Sequence, residues 1–368
     1  MSVEATEAKT LEQVLNYIRP AVRAQRPYHV GTAPNVEVKL NQNESPLDLP
    51  EDLKRDLLEQ FFYTPFNRYP TEQPDRLRHA LAESLDHDPD GILVGNGSNE
   101  LTYTLGLTMI DKGTPVVLPK PMFALYTTMV KLYEGDLVAI PPRPDLSFDA
   151  EAILEAVRRT QPDLVVLTTP NNPTGLAMPL SEIVPIVEAA PGFVVVDEAY
   201  VEFTEEESAR TVLDDYPNLL LLRTFSKAFG LAGVRLGYLM GHPAVMQELL
   251  KARLPFMVDR MAEMTALALL QRPQLLRERI ALIKQECQAL TTALATMEGV
   301  EVVPSQSNFV LFKTSLETKP LLNRLATSGV LVRDMSGYPE LQGYLRVNAG
   351  TPDENKAFLV ALKKTLET

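Results

Sequence analysis

One cysteine in 368 residues, Cys287, can make no internal disulfide and points to a reducing compartment. The four histidines, His29, His79, His87 and His242, are scattered without metal-ligand spacing, so no metal is expected. Positive charge is also scarce: 35 Lys and Arg against 48 Asp and Glu give a formal net charge of −13. That balance disfavours nucleic acid or an anionic membrane as a partner, because phosphate-backbone binding needs a concentrated basic face. An anionic ligand must instead be gripped by local arginines. No apolar run approaches the length of a membrane span, and the opening MSVEATEAKT lacks the apolar core of a secretory signal. A cytoplasmic protein is expected.

What is present is an ordinary globular composition, 45% hydrophobic and 23% charged, in a chain long enough for about two domains. Leu11 to Gln25 reads as a short amphipathic helix interrupted by Pro20. Val38 to Pro50 is polar and turn-rich and reads as an arm outside the core. A helix from Glu51 to Phe61 follows. Seven short apolar strands then alternate with helices: Ile92–Val94, Pro115–Leu118, Asp136–Ile140, Leu164–Thr168, Phe193–Val196, Leu219–Arg223 and Leu236–Met240. Several are apolar on both faces, as in a mostly parallel sheet covered on both sides. After a long helical region, His242 to Met297, short strands return at Val300–Val303, Phe309–Lys313, Leu331–Arg333 and Tyr344–Val347, closed by a helix Asp353–Leu366. The fold class is therefore α/β, a large domain at 62–255 and a smaller α+β domain at 256–368, with 1–61 as an arm that completes the smaller one.

In open parallel sheets, ligands sit outside the carboxyl ends of the strands. Three of these ends carry polar groups that a sheet does not need. Leu164–Thr168 runs into Asn171-Asn172-Pro173-Thr174-Gly175, Phe193–Val196 into Asp197-Glu198-Ala199-Tyr200, and Leu219–Arg223 into Thr224-Phe225-Ser226-Lys227. A plain turn would explain the first and a cap the second. A lysine desolvated at a strand end, however, has a lowered pKa and becomes a nucleophile toward carbonyls. Arg235, eight residues on, can return to the same place and fork onto a phosphate. A fourth piece, Gly95-Asn96-Gly97-Ser98-Asn99-Glu100, opens a helix expected over Asn99–Ile110. Exposed N–H groups there can make an anion site; read alone the stretch is better explained by a simple Ser98 cap, and it is Arg235 that makes it a cup for one phosphate group. The stretch lacks the third glycine of a dinucleotide fingerprint and the Gly-Lys-Ser/Thr of a P-loop. A lysine for a Schiff base, an aspartate for a pyridinium nitrogen and a phosphate cup form the set that pyridoxal 5'-phosphate requires.

These stretches, with NQNESP at Asn41–Pro46, NRYP at Asn67–Pro70 and LRVNAGT at Leu345–Thr351, closely resemble the fold-type I aminotransferases, especially their histidinol-phosphate branch. The resemblance implies a homodimer with shared active sites and pyridoxal phosphate as cofactor. It implies that Lys227 holds the cofactor and moves the substrate proton, that Asp197 keeps the ring nitrogen protonated, and that Asn172 and Tyr200 meet the ring hydroxyl oxygen. Ser98, Asn99, Ser226 and Arg235, with Thr224 as a further contact, would cradle the phosphate. Phe123 falls where the family has a tyrosine on the ring face; it keeps the stacking and loses a hydroxyl contact. Tyr69 would reach across to the neighbouring subunit's cofactor phosphate, unless it is an ordinary half-buried core tyrosine. Arg346 would grip the substrate carboxylate, and Tyr28, Asn43 and Arg333 would also meet the substrate, the alternative for Arg333 being a surface salt bridge with Asp334 or another acid.

The reaction this implies converts imidazole acetol phosphate and glutamate into histidinol phosphate and 2-oxoglutarate, in histidine biosynthesis. The rival readings are an aromatic amino-acid aminotransferase, a phosphothreonine-type decarboxylase on the same scaffold, and a catalytically silent cofactor-binding protein.

Overall fold

Apolar runs bounded by turn residues build the centre of the molecule. The computed structural model describes residues 10–27 and 36–367, so Tyr28 and His29 lie outside the described residues. Its strands are β1 Val38–Lys39, β2 Ile92–Gly95, β3 Pro115–Pro119, β4 Asp136–Ile140, β5 Leu164–Thr168, β6 Phe193–Asp197, β7 Leu219–Thr224, β8 Gly237–Met240, β9 Val300–Val303, β10 Phe309–Thr314, β11 Val330–Leu331, β12 Arg333–Asp334 and β13 Tyr344–Asn348. Seven of them form one sheet in the order β2-β8-β7-β6-β5-β3-β4. Strands β5 and β7 are buried along their whole lengths, the state of strands with both faces covered by helices.

Strand β8 alone runs against its neighbours β2 and β7, while the remaining ladders are parallel. Because it is reversed, β8 starts at the edge where the others end. Its register sets Gly237 opposite both Gly95 and Thr224. Arg235, just before Gly237, is thereby delivered to the edge where β2 and β7 finish.

A second, antiparallel sheet has the order β12-β13-β10-β9, and β1 pairs with β11 in parallel. The strand expected over Leu331–Arg333 is thus two short strands. Leu331 belongs to the ladder with β1 and Arg333 to the ladder with β13, and buried Val332 marks the change of sheet.

Two further expectations are corrected. The Val38–Pro50 segment is not outside the core: Leu40, Asn41 and Asn43 are fully buried, because Leu40 exchanges backbone hydrogen bonds with Leu331 and Asn348. The N-terminal helix is two short pieces, Leu11–Leu15 and Pro20–Arg23, with Pro20 in the first turn of the second, where its missing N–H costs nothing. The helical region after His242 divides into Pro243–Leu250, Arg260–Leu270 and Pro273–Ala295. No helix among the described residues is long and apolar enough to cross a membrane.

Candidate active site

The carboxyl edge of the large sheet gathers the polar strand-end residues. Asp197 is the last residue of β6, opposite Thr168 of β5 and Leu222 of β7, so parallel register alone places it between the Asn172 and Lys227 loops. Its Oδ1 accepts the Ala199 N–H at 3.0 Å and its Oδ2 accepts the Tyr126 O–H at 2.7 Å. Burial pushes the carboxyl up to about 6, opposed by those two hydrogen bonds and reinforced by Glu198. Tyr200, also buried, accepts an N–H of the Asn43 amide at 3.0 Å, and burial pushes its phenol up to about 12.

Lys227 is half-buried as a residue, but its amine end is enclosed and donates to the Gln42 carbonyl at 3.1 Å. Burial pushes the amine down to about 7, assisted by Arg346 and Arg235 and opposed by Glu44 and Asp197. A lysine of that kind is largely neutral just above pH 7 and is both a nucleophile and a proton acceptor.

The anion cup lies at the same edge. The helix Ser98–Met109 starts one residue earlier than expected, and its cap is Gly97 (φ 77°), which makes no side-chain capping hydrogen bond. Ser98 is therefore not the cap. A side chain on Gly97 would collide with the Arg235 guanidinium, and one on Gly237 with the Ser98 backbone nitrogen, so both glycines are needed for this approach. Arg235 reaches Ser226 Oγ at 3.5 Å and the Ala232 carbonyl at 3.0 Å. The Thr224 hydroxyl shapes the loop, donating to the Leu236 carbonyl and accepting the Ser226 N–H. Asn99 is exposed at the helix start. Backbone N–H groups, two serine hydroxyls and an arginine around a space kept clear by glycines suit a phosphate. An enclosed lysine and a buried aspartate beside them complete a donor set that fits pyridoxal phosphate.

The segment Leu40–Asn43 crosses over this edge. Asn43 (φ 55°) takes the Asn348 side-chain oxygen on its N–H, receives the Asn308 amide on its carbonyl, and turns its own amide to Tyr200. Arg346 hydrogen-bonds Asn172 Oδ1 and the Asn41 carbonyl and lies over the Phe309 ring at 5.2 Å. Arg333 stands directly opposite Arg346 in the β12–β13 ladder, so both side chains leave the same face. Asp334, the next residue, accepts the Ser336 N–H at 2.9 Å.

Phe123 ends the loop before the helix Ala124–Leu132 and meets Tyr126 edge-on at 6.5 Å. Tyr69 is 78% exposed and stacks on Phe256 at 4.8 Å, so it is not a core tyrosine.

Sequence reasoning gave no role to Tyr126, Asn308 or Asn348. The only signal available was position: Tyr126 is three residues past Phe123, Asn348 ends an apolar strand and Asn308 precedes one. Nor did it assign Glu198, which accepts two hydrogen bonds from Arg223 at 2.7 and 2.9 Å behind the site.

Comparison with known proteins agrees with this geometry. The family described as aminotransferase class I and II matches residues 35–362. A histidinol-phosphate aminotransferase of Chlorobaculum tepidum is 41% identical over 347 residues, covering 94% of this chain and 99% of that one. Among solved structures, histidinol-phosphate aminotransferase from Sinorhizobium meliloti in complex with pyridoxal-5'-phosphate superposes with a TM-score of 0.87 at 27% identity, covering 96% of this chain and 98% of that one. An L-threonine-O-3-phosphate decarboxylase from Porphyromonas gingivalis follows at a TM-score of 0.79 and 27% identity, covering 90% and 100%. With a family match over nearly its whole length and a fold-type I sheet carrying the strand-end residues, the chain belongs to the class I and II aminotransferases.

Proposed function

We propose that the chain is a pyridoxal-phosphate-dependent aminotransferase that makes histidinol phosphate and 2-oxoglutarate from imidazole acetol phosphate and glutamate. The observation that carries the substrate assignment is the register pair Arg333 and Arg346, two guanidiniums leaving one face of the strand pair, with Arg346 bonded to Asn172 at the sheet edge. Two guanidiniums leaving one face offer a doubly charged anion several charge-assisted donors at once. A phosphate end suits such a pair better than the aromatic side chain of the rival substrate.

In this reading Lys227 Nζ would anchor the cofactor, Asp197 would meet its ring nitrogen, and Asn172 and Tyr200 would hold its ring hydroxyl. Ser98, Asn99, Ser226, Arg235 and Thr224 would hold its phosphate, and Phe123 would stack on its ring. When bound, the cofactor supplies an electron sink that stabilises negative charge at the substrate carbon. The chain's own groups do the rest. Lys227, whose amine loses its proton at about pH 7, takes a proton from the substrate carbon and returns one. Arg346 orients a carboxylate, or with Arg333 a phosphate, and the Leu40–Asn43 segment shields the amine from water.

Arg333→Leu is expected to slow the histidinol-phosphate half-reaction by about ten- to a hundredfold, the value of one charge-assisted contact of roughly 1.5–3 kcal/mol, while sparing phenylalanine. Stopped-flow absorbance of the cofactor-loaded protein with histidinol phosphate, phenylalanine and phosphothreonine reads this directly. Equal losses on the first two would make Arg333 structural. A poor response of the unmodified protein to histidinol phosphate would hand the function to the aromatic or the decarboxylase reading.

The same reading includes a homodimer. Phe62, Tyr63, Phe66 and Tyr69 are all largely exposed, from the end of the helix Glu51–Phe62 through the loop after it, and so many exposed aromatics close together in the chain support a covering subunit. Mixing Lys227→Ala and Tyr69→Phe subunits should give heterodimers in which one site has both defects and the other neither. Their activity should approach half that of the wild type and exceed both parents; a mixture no better than the parents' average would refute shared sites.

A further inference from the structure

We propose that Tyr126 is the positioning residue for Asp197: its phenol locks the carboxylate in one orientation and keeps it ionised where it meets the cofactor ring nitrogen. This rests on the proposed cofactor chemistry and adds a residue to it. Tyr126 sits on the helix Ala124–Leu132, a different element from the β6 end that carries Asp197, and is 1% exposed. Its O–H donates to Asp197 Oδ2 at 2.7 Å, a well-formed hydrogen bond. With Ala199 N–H on Oδ1, both oxygens have a fixed protein donor, and each keeps a lone pair for one more partner.

The environment otherwise opposes an ionised aspartate. Burial and the adjacent Glu198 both push its carboxyl up, and the Tyr126 hydrogen bond is the first of the contacts that hold it down. A neutral Asp197 could not hold a proton on a ring nitrogen. A buried tyrosine usually finds some partner for its hydroxyl, so a purely structural role has to be separated from this one.

The separation comes from Tyr126→Phe, which keeps the ring and removes only the hydroxyl. In the holoenzyme loaded with 15N-labelled pyridoxal phosphate, the nitrogen chemical shift reports protonation of the ring. The expected result is a smaller protonated fraction, a roughly tenfold weaker cofactor Kd and a roughly tenfold lower kcat with KM little changed. In an Asp197→Asn background the same substitution should have almost no further effect, because the partner it acts on is gone. An unchanged nitrogen shift and Kd, or equal losses in both backgrounds, would reduce Tyr126 to a packing residue. If the unmodified protein binds no pyridoxal phosphate, the functional reading falls and this inference with it.

Discussion

Lys227→Ala should abolish turnover while leaving the fold and much of the cofactor binding in place. In the proposed function the amine is the group that moves the substrate proton, and losing a positioned acid/base costs roughly 10²–10⁴-fold in rate. Asp197 and the cup of Ser98, Ser226 and Arg235 do not depend on it and should still retain the cofactor. Borohydride reduction followed by mass spectrometry should find a covalent adduct at Lys227 in the wild type and none in the variant. A variant that kept a sizeable fraction of the wild-type rate without added amine would displace Lys227 from its role.

The same lysine is costly to the cofactor-free protein, because its enclosed amine resists protonation. Burial lowers the amine from its ordinary 10.5 to about 7 in the folded state, so between those values the unfolded chain binds more protons. Stability from this group therefore rises with pH across that window, and its penalty is complete at pH 7 and below. Lys227→Met, which keeps the apolar stem, should stabilise the cofactor-free protein most below pH 7 and hardly at all above about pH 10.5. Urea midpoints at pH 6 and pH 10 check it; a gain that grew with pH would contradict the enclosed amine.

Arg223→Leu should destabilise the fold by about 3–5 kcal/mol, because it strands a buried carboxylate. The side chains of Arg223 and Glu198 are 9% and 1% exposed, and two guanidinium nitrogens converge on Glu198 Oε2. Glu198 also accepts from Ser208 Oγ and the Ala209 N–H, which cannot neutralise its charge. Glu202 suffers as well: burial pushes its carboxyl up to about 7, and Arg223 is the main charge that pulls it down. The pair lies directly behind Asp197, so cofactor affinity should fall along with stability. Replacing both partners, Arg223→Met with Glu198→Leu, should recover much of the loss, since removing a whole buried pair is far cheaper than breaking it. A single-variant loss below about 1 kcal/mol by urea unfolding would mean that water reaches Glu198.

Much of the large sheet was legible in the chain. Leu164–Thr168 and Leu219–Arg223 are apolar on both faces because helices cover both sides, and that pattern is local. The polar residues after them stand out for the same reason: a ladder has no use for Asn172, Asp197 or Lys227 where the strands end. Composition and spacing thus determined an α/β protein with a lysine, an aspartate and an anion cup in a fixed order along the chain.

Tertiary structure decided what those groups touch. The reversal of β8 brings Arg235 back to the cup, and the opposition of Arg333 to Arg346 depends on a change of sheet at Val332. The burial of Leu40–Asn43, the Tyr126 hydrogen bond to Asp197 and the Arg223–Glu198 pair likewise join residues from distant parts of the chain. Periodicity reports which face of an element is covered, because covering one face repeats every two or 3.6 residues. It carries no record of which other element does the covering or in what register, since that choice is made by packing between segments whose separation in the chain leaves no repeat to read.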